Sequence, residues 1–292
     1  DGMGAFQELD SVSLMRPVTK WATRIVSAET TPWVMQRAFS VAKNGRPGAV
    51  FVDLPSDIAL QSCPMPAYKR SLERHRSRPD SKSVAEAADR IRQAKQPIII
   101  CGSGAVSSVA GANITGLAEK IGAALYTTPG GRGTYAEDHP LCLGQIGLYF
   151  TEAGKTYFEE SDLVISVGSR LEDFSTGGWT LWPRKARFVQ IDIDPQAIGL
   201  NLHPDTALVG DAALATADLL AAIDERPAGS AVGRAVAIEK LQSRYVRRIG
   251  RQVKQQKKPI SGRQVVGAIN RVFGKNTIMV HENGGADLWS YY

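Results

Sequence analysis

Residues 97–104 read Pro-Ile-Ile-Ile-Cys-Gly-Ser-Gly, and this octet decides the fold. An apolar run without polar alternation forms a strand covered on both faces, the setting of a parallel sheet between helices. The Gly-Ser-Gly turn follows at once and leads into a helical pattern, so one βα unit is encoded here. Working outward, the apolar spacing predicts helices over 83–95 and 109–121 and a strand over 123–127. Further on it predicts helix 151–160, strands 163–167, 187–193 and 207–209, and helix 211–223. That alternation predicts an α/β domain over 81–225 built on a doubly wound, mostly parallel six-stranded sheet, flanked by partial α/β domains.

The flanks repeat the pattern in part. Over 1–58, Thr31-Pro32 opens a helix carried by Val34, Met35, Ala38, Phe39 and Ala42 and stopped at Asn44-Gly45. Ala49 to Leu54 is a continuous apolar strand closed by Pro55, and it too is expected to be buried on both faces of a parallel sheet. Residues 59–80, with Pro64, Pro66, Pro79 and several arginines, form a linker. From 226 to 258 a basic linker helix is expected, and from 259 to 292 another α/β unit begins with helix 261–272 and strand 277–280. The first residue is Asp and the last two turns of sequence open a helix, so both ends are expected to fall inside a longer polypeptide. Their segments are expected to lack partner strands.

Charge and composition exclude several classes. The 292 residues carry a net charge of +6, yet Arg244, Arg247, Arg248, Arg251, Lys254, Lys257 and Lys258 lie in one acid-free stretch, leaving the rest slightly acidic. Ile238, Leu241, Tyr245, Ile249 and Val253 recur there at helical spacing, which favours a solvated amphipathic helix over a nucleic-acid or membrane patch. No apolar run is long enough to span a bilayer and the first residues resemble no signal peptide, so the expected location is cytoplasmic, with no membrane and no nucleic acid as partner. Cys63, Cys101 and Cys142 lack a C-x-x-C pairing and are expected to be buried thiols. The four histidines show no metal-binding spacing, so no metal ligand is assigned in this chain.

Several strand ends suit a nucleotide. Gly102-Ser103-Gly104 either lets backbone approach a pyrophosphate or packs a βα turn tightly. Thr127 to Gly131, Gly168-Ser169-Arg170 and Asp192-Ile193-Asp194-Pro195 end three other strands, and ligands of open α/β sheets bind at such carboxyl ends. Asp194-Pro195 equally starts a helix or turn.

These residues carry a family resemblance. Phe6-Gln7-Glu8, Pro17 to Lys20, the run G-R-P-G-A-V-F-V-D-L-P-S-D from Gly45 to Asp57, Gly-Ser-Gly, Thr128 to Tyr135, Gly168 to Asp173, Asp192 to Pro195 and Gly210-Asp211 together resemble the acetolactate synthase branch of thiamine diphosphate-dependent enzymes. The resemblance covers essentially the whole chain, and the run from Gly45 is its most specific part. It implies the end of a pyrimidine-binding domain, a complete central domain and the start of a pyrophosphate-binding domain. It also implies decarboxylation or carboligation of a small 2-keto acid, with thiamine diphosphate and magnesium as cofactors, FAD as a possible structural cofactor, and a homodimer or homotetramer. A non-catalytic module binding FAD or ADP is the alternative.

Carried over by resemblance, Phe6, Gln7 and Lys20 line the substrate channel, although a surface salt bridge is an equal alternative for Lys20. Arg46, Gly102, Ser103, Gly104, Thr128, Arg170, Asp192 and Asp211 match positions that hold FAD or a nucleotide. Gly284, Gly285 and Ala286 occupy a turn that touches the diphosphate, where only backbone N–H donors remain. Flavin-containing relatives carry arginine at Phe174 and histidine-glycine at Tyr149-Phe150, so this chain loses polar or small groups there. The activating glutamate and the G-D-G…N magnesium motif are expected outside the chain, which assigns it no catalytic residue and no activity alone.

Overall fold

The computed structural model describes residues 3, 4, 6, 8–64, 74–223, 228–255, 258–274 and 276–280. The chain divides into two compact units, residues 1–76 and 77–292. In the first, α1 (Ser11–Met15), β1 (Trp21–Arg24), α2 (Thr31–Lys43), β2 (Val50–Asp53) and α3 (Ser56–Ala59) follow one another. Pro32 stands in the first turn of α2, where its missing N–H costs no helical bond. β2 pairs in parallel with β1, from Trp21 opposite Val50 to Arg24 opposite Asp53. The parallel pairing agrees with expectation, but burial on both faces is corrected: Val50 to Asp53 are all half-buried. The reason is the small scale of the unit, in which Ile25, Val34 and Ile58 form the buried cluster under a two-stranded sheet.

The second unit runs α4 (Ser81–Gln93), β3 (Pro97–Cys101), α5 (Ser103–Ser107), α6 (Gly111–Ile121), β4 (Ala124–Thr127), β5 (Cys142–Gln145) and α7 (Glu152–Glu159). It continues with β6 (Leu163–Val167), α8 (Asp173–Thr176), β7 (Arg187–Asp192), β8 (Thr206–Val209), α9 (Ala212–Ala222), α10 (Ala228–Lys254) and α11 (Gly262–Phe273). The six-stranded sheet has the order β5-β4-β3-β6-β7-β8, with every pairing parallel. Strand order reverses between β3 and β6, so the switch point at which doubly wound sheets hold ligands lies at the ends of these two strands. All five residues of β3 are buried, as its unbroken apolar run requires.

Three local features differ from expectation. β5 is a strand that the residue pattern does not predict: it is four residues long, Gly144 interrupts it at φ +93°, and its register against β4 shifts between Leu125 and Thr127. The helix expected over 109–121 forms as α6, but a short helix that the residue pattern does not predict, α5, precedes it, the two separated at Val109 with φ +58°. Residues 277–280 were expected as a strand and adopt none; Ile278 and Val280 are exposed, and no partner supplies the hydrogen bonds that define a strand among the described residues.

α10 is the expected amphipathic helix. Ile238 is fully buried and Leu241 packs on the sheet's core, while Arg244, Arg247, Arg248, Arg251 and Lys254 face solvent. Its Arg234 donates to the Ile121 and Gly122 carbonyls at 2.6 and 3.2 Å, covering the end of α6. Cys101 and Cys142 are buried as expected, but Cys63 is exposed, because it lies beyond α3 and outside the buried cluster of Ile25, Val34 and Ile58. No described helix is long and apolar enough to cross a membrane.

Candidate functional site

The carboxyl edge of the six-stranded sheet is built from loops that touch backbone to backbone. Gly102 N donates to Val167 O at 2.9 Å and Gly104 N to Gly168 O at 3.0 Å, so the β3 turn is tied to the β6 turn. Thr128 N donates to Cys101 O at 2.9 Å, tying in the β4 turn, and Gly168 N reaches Ile191 O of β7 at 2.8 Å. A Cβ on Gly102 would stand 2.3 Å from Gly168 O, and one on Gly131 would stand 1.9 Å from Cys101 O. Gly168 also holds φ +63°. Of the two readings of Gly-Ser-Gly, the geometry realises tight packing of neighbouring turns. Its consequence for an anion is direct: the N–H groups of Gly102, Gly104 and Thr128 already have protein acceptors, and α5, with Ser103 as its first residue, is a helix of only five residues.

The charged residues of the edge divide between local structure and solvent. Asp211 is fully buried, and its Oδ1 accepts from Ser108 Oγ and from Ala213 N and Leu214 N at 3.1 and 3.4 Å, so it caps α9. Asp192, nearly buried, accepts from Asp194 N at 2.9 Å, and Asp194 in turn receives Gln196 N at 3.0 Å, the turn-starting role left open for it. Arg170 is exposed, its Nη2 3.9 Å from Glu172 Oε2. The next residue, Leu171, is buried with φ +52°, a costly conformation for a branched side chain, and its carbonyl accepts Trp179 Nε1 at 3.1 Å. Phe174 is exposed on α8. Phe150 instead packs against Phe158 at 4.9 Å and Tyr126 at 6.3 Å between ring centres, within an aromatic cluster.

In the first unit the ammonium of Lys20 donates to Val41 O, Asn44 O and Arg46 O at 2.5, 2.8 and 2.8 Å. These are carbonyls at and after the end of α2, so the cation complements the helix C-terminus. Gly48 makes room for it: a Cβ there would lie 2.9 Å from Lys20 Cδ. This contact joins Pro17–Lys20 to the Gly45–Gly48 turn, a pairing that residue spacing alone does not reveal. Arg46 and Phe6 have exposed side chains, whereas Gln7, Gly284, Gly285 and Ala286 lie outside the described residues. Lys20→Met is expected to destabilise the chain by about 1 kcal/mol in urea denaturation, the scale of a helix C-terminal cation. A Lys20→Met chain of unchanged stability would remove the capping role.

The chemistry available from described side chains is limited. Burial pushes the Cys101 and Cys142 thiols up, which keeps them protonated at neutral pH and unsuited to nucleophilic attack. Among the described residues no three His, Cys, Asp or Glu side chains gather to hold a metal ion, so magnesium finds no ligand set among them. For a nucleotide the fit is partial: the exposed Arg170 guanidinium and the Asp192 carboxylate stand at adjacent strand ends, but the backbone donors beside them are engaged.

Residues 84–220 match the model of the thiamine pyrophosphate enzyme central domain. A probable acetolactate synthase large subunit of Methanocaldococcus jannaschii is 36% identical over 76% of this chain and 39% of its own length. Glyoxylate carboligase of Escherichia coli O157:H7 is 30% identical over 94% of this chain and 47% of its own. Among solved structures, benzoylformate decarboxylase from Polynucleobacter necessarius superposes with a TM-score of 0.65 at 26% identity, covering 75% of this chain and 41% of that one. The chain thus spans less than half the length of these relatives. With a parallel six-stranded sheet whose turns interlock at its switch point and a match across that sheet, residues 84–220 form a thiamine pyrophosphate enzyme central domain, and the chain is similar to acetolactate synthase-like members of that family.

Proposed function

We propose that this chain supplies the central domain of a thiamine diphosphate-dependent decarboxylase or carboligase acting on a small 2-keto acid. The similarity to glyoxylate carboligase over 94% of the chain carries this reading, supported by the acetolactate synthase relatives. Thiamine diphosphate, bound with magnesium, supplies the electron sink for loss of carbon dioxide. The described residues contribute rigidity: the interlocked turns of β3, β4 and β6 fix the edge of the sheet, and Asp211 anchors α9 behind them. Assembly as a homodimer or homotetramer belongs to the same proposal, as does a diphosphate contact from the backbone at Gly284, Gly285 and Ala286. Phe6 and Gln7 stay assigned to the substrate channel.

A flavin enters as a structural ligand only. Its contacts are proposed at Arg170 and Asp192. A purely nucleotide-binding module is disfavoured by the engaged N–H groups of Gly104 and Thr128, which a pyrophosphate cradle needs.

The full-length protein, supplied with thiamine diphosphate and magnesium and given pyruvate or glyoxylate, is expected to release carbon dioxide at a rate lost on adding EDTA. FAD or ADP binding without turnover of either keto acid would overturn the proposal.

A further inference from the structure

β5, the strand that residue periodicity misses, borders a cleft that the interlocked turns do not use. The cleft holds about 170 Å³ between the carboxyl ends of β4 and β5, the start of α7 and the middle of α10, with Leu143, Ala153 and Tyr245 among its walls. Gln145, the last residue of β5, lines it and is 6% exposed. Its Oε1 is buried without a hydrogen-bond partner, a state that native proteins fill with a protein donor, a water or a ligand.

Several other polar groups of the cleft are engaged with one another or with backbone. Arg132 meets Glu137 through two bonds, Nε to Oε1 at 2.6 Å and Nη2 to Oε2 at 2.9 Å, so their charges cancel. Gln242 Nε2 donates to His139 O at 3.3 Å, and Thr151 Oγ1 donates to Leu143 O at 3.3 Å while receiving Gly154 N. The Tyr135 hydroxyl, buried like the Gln145 acceptor, likewise has no hydrogen-bond partner. What remains are the Gln145 acceptor and the Tyr135 hydroxyl, set in largely apolar walls with no net charge. A cavity of about 150 Å³ with apolar walls accommodates benzene, so this volume suits one aromatic ring.

We propose that this cleft binds a small uncharged molecule of phenol size, a flat apolar body with one O–H or N–H that donates to Gln145 Oε1. Such a ligand touches the sheet edge on one side and Tyr245 of α10 on the other, so its binding ties the basic helix to β5. Occupancy of the cleft is independent of the keto-acid chemistry, because the cleft lies away from the switch point and needs no cofactor.

The test is calorimetry and thermal melting of the chain titrated with phenol, with toluene as the ring that lacks a donor. Saturable phenol binding with a raised Tm is expected, and toluene is expected to bind about tenfold more weakly, the scale of one hydrogen bond to a buried acceptor. Gln145→Leu is expected to abolish that preference. Ala153→Leu, which fills the cleft from the opposite wall and leaves Gln145 intact, is expected to abolish phenol binding. Absence of saturable phenol binding, as when an ordered water alone meets Gln145, would overturn the proposal. So would equal affinity for phenol and toluene, or phenol binding that survives in Ala153→Leu.

Discussion

Gly168→Ala is expected to lower stability by about 2–5 kcal/mol, from two costs that add. Its φ of +63° charges an L side chain roughly 1–2 kcal/mol for the left-handed conformation. Its new Cβ would stand 2.6 Å from Gly104 Cα and 2.7 Å from Ala105 N, backbone atoms that cannot rotate aside, and overpacking of this kind costs about 1–3 kcal/mol. For a unit of this size the melting temperature should fall by roughly 4–20 °C. Gly133→Ala provides the control: its φ is +82° but nothing lies within 4 Å of the added carbon, so only the conformational cost applies. Equal losses in the two variants would show that the β3 and β6 turns are not in contact.

Asp211→Ala is expected to cost about 1.5–5 kcal/mol. It removes the cap of α9, a loss of about 0.5–2 kcal/mol, and leaves the buried Ser108 hydroxyl without its acceptor, about 1–3 kcal/mol more. Asp211→Asn keeps an oxygen at the capping position and should lose less. Urea denaturation of both variants checks this, and nucleotide binding measured on the same proteins separates the two roles offered for the residue. A fully stable Asp211→Asn that no longer binds FAD or ADP would assign the carboxylate to the nucleotide instead of the helix.

Lys20 and Asp211 show why side-chain roles are less legible than elements. Both are charged residues at suggestive positions, and both are engaged with carbonyls or amides of their own unit: Val41, Asn44 and Arg46 for the lysine, Ala213 and Leu214 for the aspartate. Residue type announces a charge but not its partner, because the partner arrives from 21 to 26 residues away for Lys20 and, at Ser108, from 103 residues away for Asp211. Two strands escape for a different reason. β1 (Trp-Ala-Thr-Arg) and β5 (Cys-Leu-Gly-Gln) are no shorter than β2, but neither carries three apolar residues in a row, and Gly144 interrupts β5 besides.

Residue pattern alone specifies the parallel sheet, since Pro97–Cys101 is apolar throughout and Leu163–Val167 at every position but Ser166, and such strands are stable only when covered on both faces. It likewise determined α2 from Thr31-Pro32 and the amphipathic character of α10, because local propensity and apolar period agree there. That the glycines after β3, β4 and β6 pack against one another with their N–H groups engaged, and that Gln145 ends with a buried acceptor beside a cleft, emerges only on assembly of the sheet. Those outcomes depend on which distant backbone approaches within hydrogen-bond reach, a property of the assembled sheet that no stretch of sequence contains.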